Sequence, residues 1–223
     1  MADPVTTSAS SLRVAVVGGT GSFGSAVAKR LVDAGLEVVI GSRDAERARE
    51  TAAPLGCEGA GNDDAVRHVD LVVFAVKADA AVETARDLRQ SIGSTPVLSV
   101  CAELSFGPGG VKPTGEATSI AKRIEDELDA PVVAGLHSLA AASLADAPAD
   151  EDALVCGDDA GAKELALELA ARLVSGRAVD VGPLAGARAL EGMTAVIVNV
   201  NKRYKAHAGL RLTGFPPTTP ASE

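Results

Sequence analysis

The sequence is poor in aromatic residues and cysteines and has no long apolar run. Tyr204 is the only tyrosine, and no lysine stands four residues after it, which excludes the Tyr-x-x-x-Lys dehydrogenase motif. No apolar run reaches the roughly 18 to 20 residues that a membrane-spanning helix needs. Cys57, Cys101 and Cys156 form no CxxC pair and lack metal-ligand spacing. We therefore expect buried thiols in a reducing cytoplasm, no metal site and no membrane association.

The sequence also has fewer positively charged residues than negatively charged ones. The net charge is −9, with 21 lysines and arginines against 30 aspartates and glutamates. This balance argues against nucleic acid and anionic membrane surfaces as partners. Arginine outnumbers lysine by 14 to 7. Acidic, lysine-poor proteins retain their hydration shell and resist aggregation at high salt. We therefore predict a halophilic host.

Apolar segments alternate with helical segments along most of the chain. The predicted strands span residues 13–18, 37–41, 70–76, 95–101 and 130–137, and the predicted helices span residues 22–34, 44–55, 63–68, 78–90 and 119–128. Asp44 and Asn62 are the predicted N-caps of two of these helices. Strands that are apolar on both faces and are joined through helices predict an α/β fold with a doubly wound parallel (Rossmann) sheet.

A glycine-rich loop ends the first predicted strand and opens the first helix. In "VVGGTGSFG", Gly19, Gly21 and Gly24 fit the dinucleotide fingerprint G-x-G-x-x-G in the context that the fingerprint requires. Gly19 permits the tight turn, Gly21 lets the pyrophosphate approach the backbone, and Gly24 allows close packing of helix and strand. The free N–H groups of the helix then face the phosphates. The loop therefore predicts a dinucleotide site.

The end of the second predicted strand favours NADP over NAD. An NAD site usually has an acidic residue there to bind the ribose hydroxyls, whereas this chain has Ser42 and Arg43. Arg47 lies one helical turn further, so both guanidinium groups can face one anion. A hydroxyl and two guanidinium groups suit a 2′-phosphate. Asp44 is better placed as a helix cap than as a ribose ligand.

The organisation changes after His137. An acidic loop at residues 143–153 is followed by short strands, a helix at 160–174 and a long helix at 185–204. We predict a disordered arm at residues 1–11, an NADP-binding Rossmann domain at 12–140, a smaller C-terminal domain at 141–215 and a disordered tail at 216–223. The N-terminus lacks the basic and apolar regions of a secretory signal, so we expect a cytoplasmic protein.

The reaction site should lie at the carboxyl ends of the strands. The candidates there are Val76 with Lys77, residues 99–103, and His137 with Ser138. Lys77 contacts the cofactor or the substrate, or it is a solvated loop lysine. His137 follows an apolar strand, where a ligand-lining residue and a core histidine are both reasonable. Hydride transfer between two bound cofactors needs no further catalytic group, because positioning is the main task.

Several segments together carry a resemblance to a known family. They are "RVAVVGGTGSFGSAVAKRL", "VVIGSRDAERA", "ETARDL", "VVAGLHSLAAASLAD", "VCGDD", "VDVGPLAGARALE" and "GLRLTGF". Together they resemble the archaeal NADPH-dependent reductases of coenzyme F420, a deazaflavin. The similarity runs from about residue 13 to residue 215.

The resemblance implies direct hydride exchange between NADP(H) and coenzyme F420 in a homodimer. It assigns the pyrophosphate to four loop residues, the 2′-phosphate to three residues after the second strand, and the nicotinamide side to Val76. It assigns the deazaflavin pocket to His137 and Ser138, and a contact near the chain end to Leu210. The loop residues are Thr20, Gly21, Ser22 and Phe23, and the 2′-phosphate residues are Ser42, Arg43 and Arg47.

The departures from the family pattern fall at the cleft. Residues 76–78 read Val-Lys-Ala where members often have Ile-Pro-Trp. Residues 101–104 read Cys-Ala-Glu-Leu in place of a Pro-Leu-Val type segment, and Ala140 stands where members have proline. Two other functions therefore stay open. One is an NADP-dependent reductase of another small substrate, such as an imine or a quinone, and the other is a non-catalytic dinucleotide-binding module.

Overall fold

A computed structural model describes residues 12–215 of the chain, so both predicted disordered ends lie outside the described residues. The strands are β1 (Arg13–Val17), β2 (Glu37–Ser42), β3 (Glu58–Gly61), β4 (Leu71–Phe74), β5 (Val97–Ser99), β6 (Leu104–Gly107), β7 (Gly110–Pro113), β8 (Val132–Gly135), β9 (Ala153–Gly157) and β10 (Ala178–Asp180). The helices are α1 (Ser22–Asp33), α2 (Ala45–Ala52), α3 (Asn62–Ala65), α4 (Ala78–Ile92), α5 (Ile120–Glu125), α6 (Ala160–Leu173) and α7 (Ala187–Tyr204).

Eight strands form one sheet in the order β10-β9-β8-β5-β4-β1-β2-β3. All neighbouring pairs are parallel except β8 with β9. The predicted doubly wound fold is confirmed, and its glycine loop leaves the central strand β1. Because the sheet order reverses between β1 and β4, a crevice opens at their carboxyl ends, where α/β proteins bind ligands.

The sheet is covered on both faces, which explains its all-apolar strands. Along β1, Val14 and Val16 enter one core cluster while Ala15 and Val17 enter the other. Helices α1, α2 and α6 pack on the first face, and α4, α5 and α7 contribute to the second. This alternation is the two-residue period of a strand whose two faces are both buried.

Three features of the sheet were missing from the sequence prediction. The edge strand β3 reads Glu-Gly-Ala-Gly, which lacks an apolar pattern; a Cβ on Gly59 would lie 2.4 Å from the carbonyl oxygen of Ala48. The hairpin β6–β7 consists of two four-residue strands that pack on α7 rather than on the main sheet. Strand β9 runs antiparallel because its connection from β8 contains only a 3-10 turn, Ala141–Leu144, and no crossover helix.

The C-terminal part of the chain shares the main sheet. Strands β9 and β10 extend it beyond β8, α6 packs on one face, and α7 follows. The proposed division at residue 140 stays a prediction.

Candidate functional site: a nucleotide cavity and a neighbouring cluster

A cavity of about 730 Å³ lies at the carboxyl ends of β1, β2 and β4. Its size falls within the range typical of small-molecule and cofactor sites. Its walls come from the glycine loop, the end of β2, the start of α3, the β4–α4 connection and the first turns of α4. The lining residues are Gly18, Thr20, Gly21, Ser42, Arg43, Asp44, Arg47, Asn62, Ala75, Val76, Lys77, Asp79, Ala80, Glu83 and Thr84.

The glycines of the loop are required by close contacts. A Cβ on Gly24 would lie 2.6 Å from the carbonyl oxygen of Gly18, and a Cβ on Gly19 would lie 2.8 Å from that of Val16. Gly18 has φ +80°, and a Cβ there would lie 2.6 Å from the carbonyl oxygen of Ala75. Side chains at these positions would force the loop away from β1 and β4. The backbone can therefore form the compact turn that a dinucleotide site needs.

The start of α1 offers free donors to an anion. Gly21 is the N-cap residue and supplies no capping side chain, and the first turn contains no acidic residue. The first backbone N–H groups of a helix have no partner within the helix, and the helix dipole places partial positive charge there. Ser22 and Gly21 are exposed beside this turn, whereas Phe23 is half-buried and packs on the core. The loop therefore fits a pyrophosphate.

The end of β2 places two guanidinium groups at the cavity. Arg43 and Arg47 are exposed, and neither forms an ion pair with any residue between 12 and 215. Asp44 is occupied as the cap of α2, because its Oδ1 accepts from the N–H groups of Glu46 at 3.0 Å and Arg47 at 3.2 Å. The N–H of Asp44 donates to Ser42 Oγ at 3.2 Å. The predicted cap is confirmed, and both arginines stay available to a 2′-phosphate.

Asn62 also lines this cavity, although it was expected only as a helix cap. Helix α3 begins at Asn62 itself, its N-cap is Gly61, and no side chain caps it, so that prediction is wrong. The register pairs Gly61 with Ser42, which brings Asn62 to the same edge of the sheet. The sequence prediction missed this because β3 has no apolar pattern and its end could not be located.

Apart from the cavity, a group of side chains surrounds His137, just past β8. We call it the second cluster; its members are Cys101, His137, Ser138, Asp152, Thr194 and Leu210. The chain turns sharply there, with Leu136 at φ +65°. His137 is buried, and its Nε2 lies 3.0 Å from the carbonyl oxygen of Cys101. Burial lowers the pKa of His137 to about 4, against a smaller opposing effect of the Cys101 carbonyl. The imidazole is therefore neutral at pH 7, with its proton on Nε2 and Nδ1 an acceptor without a partner among the described residues.

Cys101 connects the cavity with this cluster. Its Sγ lies 3.2 Å from the carbonyl oxygens of Phe74 and Val76. Burial raises the pKa of Cys101 to about 12, so the thiol keeps its hydrogen and donates it to these carbonyls. Because its own carbonyl accepts from His137, Cys101 ties the end of β4 to the end of β8.

Buried Asp152 joins Ser138 to the end of the described chain. Its carbonyl oxygen lies 3.3 Å from Ser138 Oγ, and its N–H donates to the carbonyl of Leu210 at 2.7 Å. Its carboxylate accepts from the N–H groups of Arg177 and Leu212, both at 2.8 Å, and from the Arg177 guanidinium at 3.3 Å. Ser138, Asp152 and Leu210 therefore lie together.

The charge on Asp152 is stabilised by these donors. Burial alone would raise its pKa, but the two backbone N–H groups and the Arg177 guanidinium outweigh burial, so the pKa is lowered. Arg177 also donates to the carbonyl of Leu212 and stands 4.1 Å from the centre of the Phe215 ring. The Asp152–Arg177 pair therefore holds residues 210–215 in place.

Helix α7 is fixed against the same cluster. Thr194 Oγ1 donates to the carbonyl of His137 at 2.9 Å. Nearby on the helix, buried Glu191 accepts from the N–H of Ala121 at 3.1 Å, and burial raises its pKa. These contacts set the position of α7 relative to β8 and α5.

The chain resembles known proteins over most of its length. It is 33% identical to the F420-dependent NADP reductase of Methanothermobacter thermautotrophicus, over 92% of this chain and 96% of that protein. The chain belongs to the F420-dependent NADP reductase family. It is also 31% identical to the F420-dependent NADP reductase of Methanocaldococcus jannaschii, over 92% of this chain and 99% of that protein. The family resemblance expected from the motifs is confirmed.

Two further comparisons agree with this membership. The model of the family "NADP oxidoreductase coenzyme F420-dependent" matches residues 13–103. A crystal structure of a protein from Arthrobacter sp. FB24 superposes with a TM-score of 0.77 over 91% of this chain and all of that chain. At 24% identity, that likeness shows the shared fold alone.

The structure divides the predicted site residues of this family member into two groups. Of the predicted residues, the cavity is lined by Thr20, Gly21, Ser42, Arg43, Arg47, Val76 and Lys77. Gly19 and Gly24 allow the turn of the loop, and the predicted Ser22 and Phe23 stand in the first turn of α1 and do not line the cavity. His137, Ser138 and Leu210 form the second group and do not line the cavity; Cys101 is the connection between the groups.

The residues where the chain departs from the family pattern occupy different surroundings. Lys77 is exposed at the cavity and precedes α4, whereas Cys101 is buried. Ala140 is half-buried and precedes the 3-10 turn Ala141–Leu144.

Within residues 12–215, no helix has the length and apolar character needed to cross a bilayer. In the same part of the chain, no group of three histidine, cysteine or acidic side chains could hold a metal ion.

Proposed function

We propose that this chain transfers a hydride directly between NADP(H) and the deazaflavin coenzyme F420. Membership of a family whose characterised members are named for this reaction supports the proposal. The observation that carries it is the pair of unpaired guanidinium groups, Arg43 and Arg47, at a cavity that also contains the glycine loop. When both cofactors are bound, the dihydronicotinamide supplies a hydride to the deazaflavin ring.

The residues of the cavity bind and orient the NADP side. The loop residues and the N–H groups of α1 hold the pyrophosphate, and Ser42, Arg43 and Arg47 hold the 2′-phosphate. Val76 and Lys77 follow β4, which lies on the other side of β1 from β2, and would border the nicotinamide end. The thiol of Cys101 fixes the Val76 carbonyl and thereby the position of this wall.

The second group of residues orients the hydride acceptor. His137 and Ser138 line the deazaflavin side, and Leu210 covers it from the end of the chain. Because His137 is neutral, it serves as a positioning residue and an acceptor at Nδ1 rather than as a proton donor. With one tyrosine and four phenylalanines in the whole chain, few aromatic side chains are available to stack on the ring, which would rest largely on aliphatic groups and backbone.

The direct test mixes the protein with NADPH and oxidised F420 and follows the loss of the visible absorbance of the deazaflavin. We expect turnover with NADPH and much slower turnover with NADH. Turnover of an imine or a quinone, but not of F420, would favour the alternative reductase. NADPH binding without turnover of any of these acceptors would favour the non-catalytic module.

We also propose that the protein is a homodimer that pairs through α7. Met193, Val196 and Val200 follow a helical spacing on one side of α7, and Val196 is 54% exposed. Exposed apolar surface of this kind is typical of an interface. Sedimentation should give a dimer, and Val196→Lys should give a monomer; a wild-type monomer would contradict the proposal.

The acidic composition supports a halophilic, cytoplasmic protein. The net charge is −9, and the three cysteines are free thiols. We expect the protein to unfold at lower temperature in dilute buffer than in multimolar KCl. Full stability without salt would contradict the halophilic assignment.

A further inference from the structure

The end of α7 has a concentration of cations without acidic partners. Most lysines and arginines of this acidic chain form ion pairs. Those without a carboxylate partner among residues 12–215 are Arg43, Arg47, Arg67, Lys77, Lys112, Lys202, Arg203 and Lys205. Three of these line the nucleotide cavity. Another three, Lys202, Arg203 and Lys205, form what we call the basic patch.

Helix dipoles alone do not explain the basic patch. Basic side chains in the last turn of a helix interact favourably with its dipole, and most helices here have them. At the ends of the other helices, these side chains also pair with a carboxylate; the pairs are Arg30–Asp33, Arg49–Glu46, Arg89–Asp129, Lys122–Asp126, Arg123–Glu103 and Arg172–Glu168. Only α7, among the helices that the structure describes, ends in basic residues that lack such a pair.

The basic patch lies close to the second cluster. Thr194, which donates to the His137 carbonyl, precedes Lys202 by eight residues, or about 12 Å along the helix axis. After the helix, the chain turns back, and the N–H of Ala208 donates to Asn201 Oδ1 at 2.6 Å. Two residues later, the Leu210 carbonyl accepts from Asp152, beside Ser138. Both ends of the segment 194–210 therefore contact the second cluster, and the basic patch lies between them.

Two of the cations are exposed where α7 ends, and one of them, Lys202, contacts the hairpin β6–β7. Lys202 stands about three turns after buried Glu191, on nearly the same side of the helix. Its Nζ lies 5.3 Å from the centre of the Phe106 ring, so the hairpin β6–β7 forms the neighbouring wall. Lys205 is the C-cap residue in the left-handed conformation, at φ 51°. An anionic group that extended along α7 from the second cluster would therefore approach Lys202 and Lys205.

We infer that the basic patch binds the anionic side chain of the deazaflavin, that is, its phosphodiester and the carboxylates of its glutamyl tail. This inference rests on the proposed function. With the ring beside His137 and Leu210, the side chain of the deazaflavin would reach the patch by extending along α7, where Lys202 lies about 12 Å from Thr194 along the helix axis. The patch would then add affinity and orientation without touching the reacting carbons.

The test compares two substrates in three proteins. The substrates are complete coenzyme F420 and a truncated deazaflavin that ends at the ribityl hydroxyl groups. The proteins are the wild type, the patch variant Lys202→Gln/Arg203→Gln/Lys205→Gln, and a control that loses the same charge elsewhere, Arg67→Gln/Arg86→Gln/Arg89→Gln. KM and kcat are measured with saturating NADPH at the lowest salt that keeps the proteins folded, together with the Kd of NADPH and the sedimentation coefficient.

We expect the wild type and the control to have a KM for complete F420 about tenfold below that for the truncated substrate, as a few exposed charge pairs would give. In the patch variant the two KM values should converge, with kcat and the Kd of NADPH unchanged, and added KCl should shrink the wild-type difference.

Equal KM values for both substrates in the wild type would overturn the role of the patch and leave the reaction intact. A rise of both KM values in the patch variant would also overturn it, because that result indicates a structural effect. No turnover of either deazaflavin by the wild type would overturn the proposed function together with this inference.

Discussion

The nucleotide cavity and the cluster around His137 are built in different ways. The loop, the helix start and the two arginines of the cavity lie within residues 18–47, on two consecutive βα units. The second cluster instead joins β5, β8, β9, β10, α7 and residues 210–215, and the residues that connect them are Cys101, His137, Asp152, Arg177, Thr194 and Leu210. A site made of neighbouring segments depends on local backbone geometry, whereas a site made of distant segments depends on the buried contacts that tie them together.

The difference also appears in electrostatics. The cavity presents exposed cations that have no carboxylate partner within residues 12–215. The second cluster is buried; its histidine is kept neutral, and its carboxylate is already paired. We therefore expect substitutions in the cavity to change nucleotide affinity, and substitutions in the cluster to change stability and use of the hydride acceptor.

The largest expected effect is that of Gly24→Val. The new side chain would collide with the Gly18 carbonyl oxygen, which a Cβ would approach to 2.6 Å. If the loop holds the phosphates as proposed, displacing it should raise the Kd of NADPH on the order of 100-fold or more. Titration calorimetry measures this Kd. Gly161→Ala in α6, where a Cβ meets nothing closer than 3.5 Å, is the control and should bind NADPH normally.

The next effect is that of Arg43→Gln combined with Arg47→Gln. Loss of two charge-assisted contacts should reduce the preference for NADPH over NADH by about 30-fold, mainly by weakening NADPH binding. Fluorescence titrations with both nucleotides measure the ratio. Arg49→Gln, on the same helix but paired with Glu46, should leave it unchanged. An unaltered preference in the double variant would mean that 2′-phosphate recognition lies elsewhere.

Asp152→Asn should damage the second cluster and spare the cavity. Removing the buried charge leaves Arg177 without its partner, and the free energy of unfolding should fall by about 3 kcal/mol. Residues 210–215 should loosen, so trypsin should cleave after Arg211 faster, and the KM for the deazaflavin should rise. Asp146→Asn, at an exposed neighbour that forms no ion pair within residues 12–215, is the control. A matching rise in the Kd of NADPH would show that the two regions are not separable.

The same carboxylate gives a pH dependence. Because the folded pKa of Asp152 lies below its ordinary value of 3.8, its contribution is present above that value and is lost as the pH falls through the folded pKa. Acid unfolding below about pH 4 should therefore be steeper in the wild type than in Asp152→Asn. Equal slopes in chemical denaturation series would contradict this assignment.

The smallest effect on activity is expected from His137→Gln. The amide can still donate to the Cys101 carbonyl, and a neutral histidine transfers no proton, so kcat should fall by roughly tenfold or less. Between about pH 4 and pH 6.5 the unfolded imidazole binds a proton and the folded one does not, so wild-type stability should fall as the pH drops through that range. The variant should lose this slope. A kcat that follows a group with a pKa near 6.5 would contradict the neutral role.

Local signals were enough to predict the cavity. Glycine positions, helix caps and the arginines after β2 act over a few residues, and the strand–loop–helix order makes their relative placement nearly fixed. The sequence prediction failed at Asn62 and Asp152. Asn62 depends on the register of an edge strand that has no apolar pattern, and Asp152 stands in an acidic stretch that has the composition of a solvated loop.

The sequence by itself determined the Rossmann fold, the dinucleotide loop, the choice of NADP and the family. These follow from periodicity, turn chemistry and short motifs, because the interactions involved are local along the chain. Only the tertiary structure decided that Cys101 joins the two regions, that Asp152 is a buried anchor for the chain end, and that the cations at the end of α7 lack acidic partners among the described residues. Whether a side chain is buried or ion-paired depends on segments that lie far apart along the chain and meet only in the folded protein. For this reason these properties cannot be read directly from the sequence.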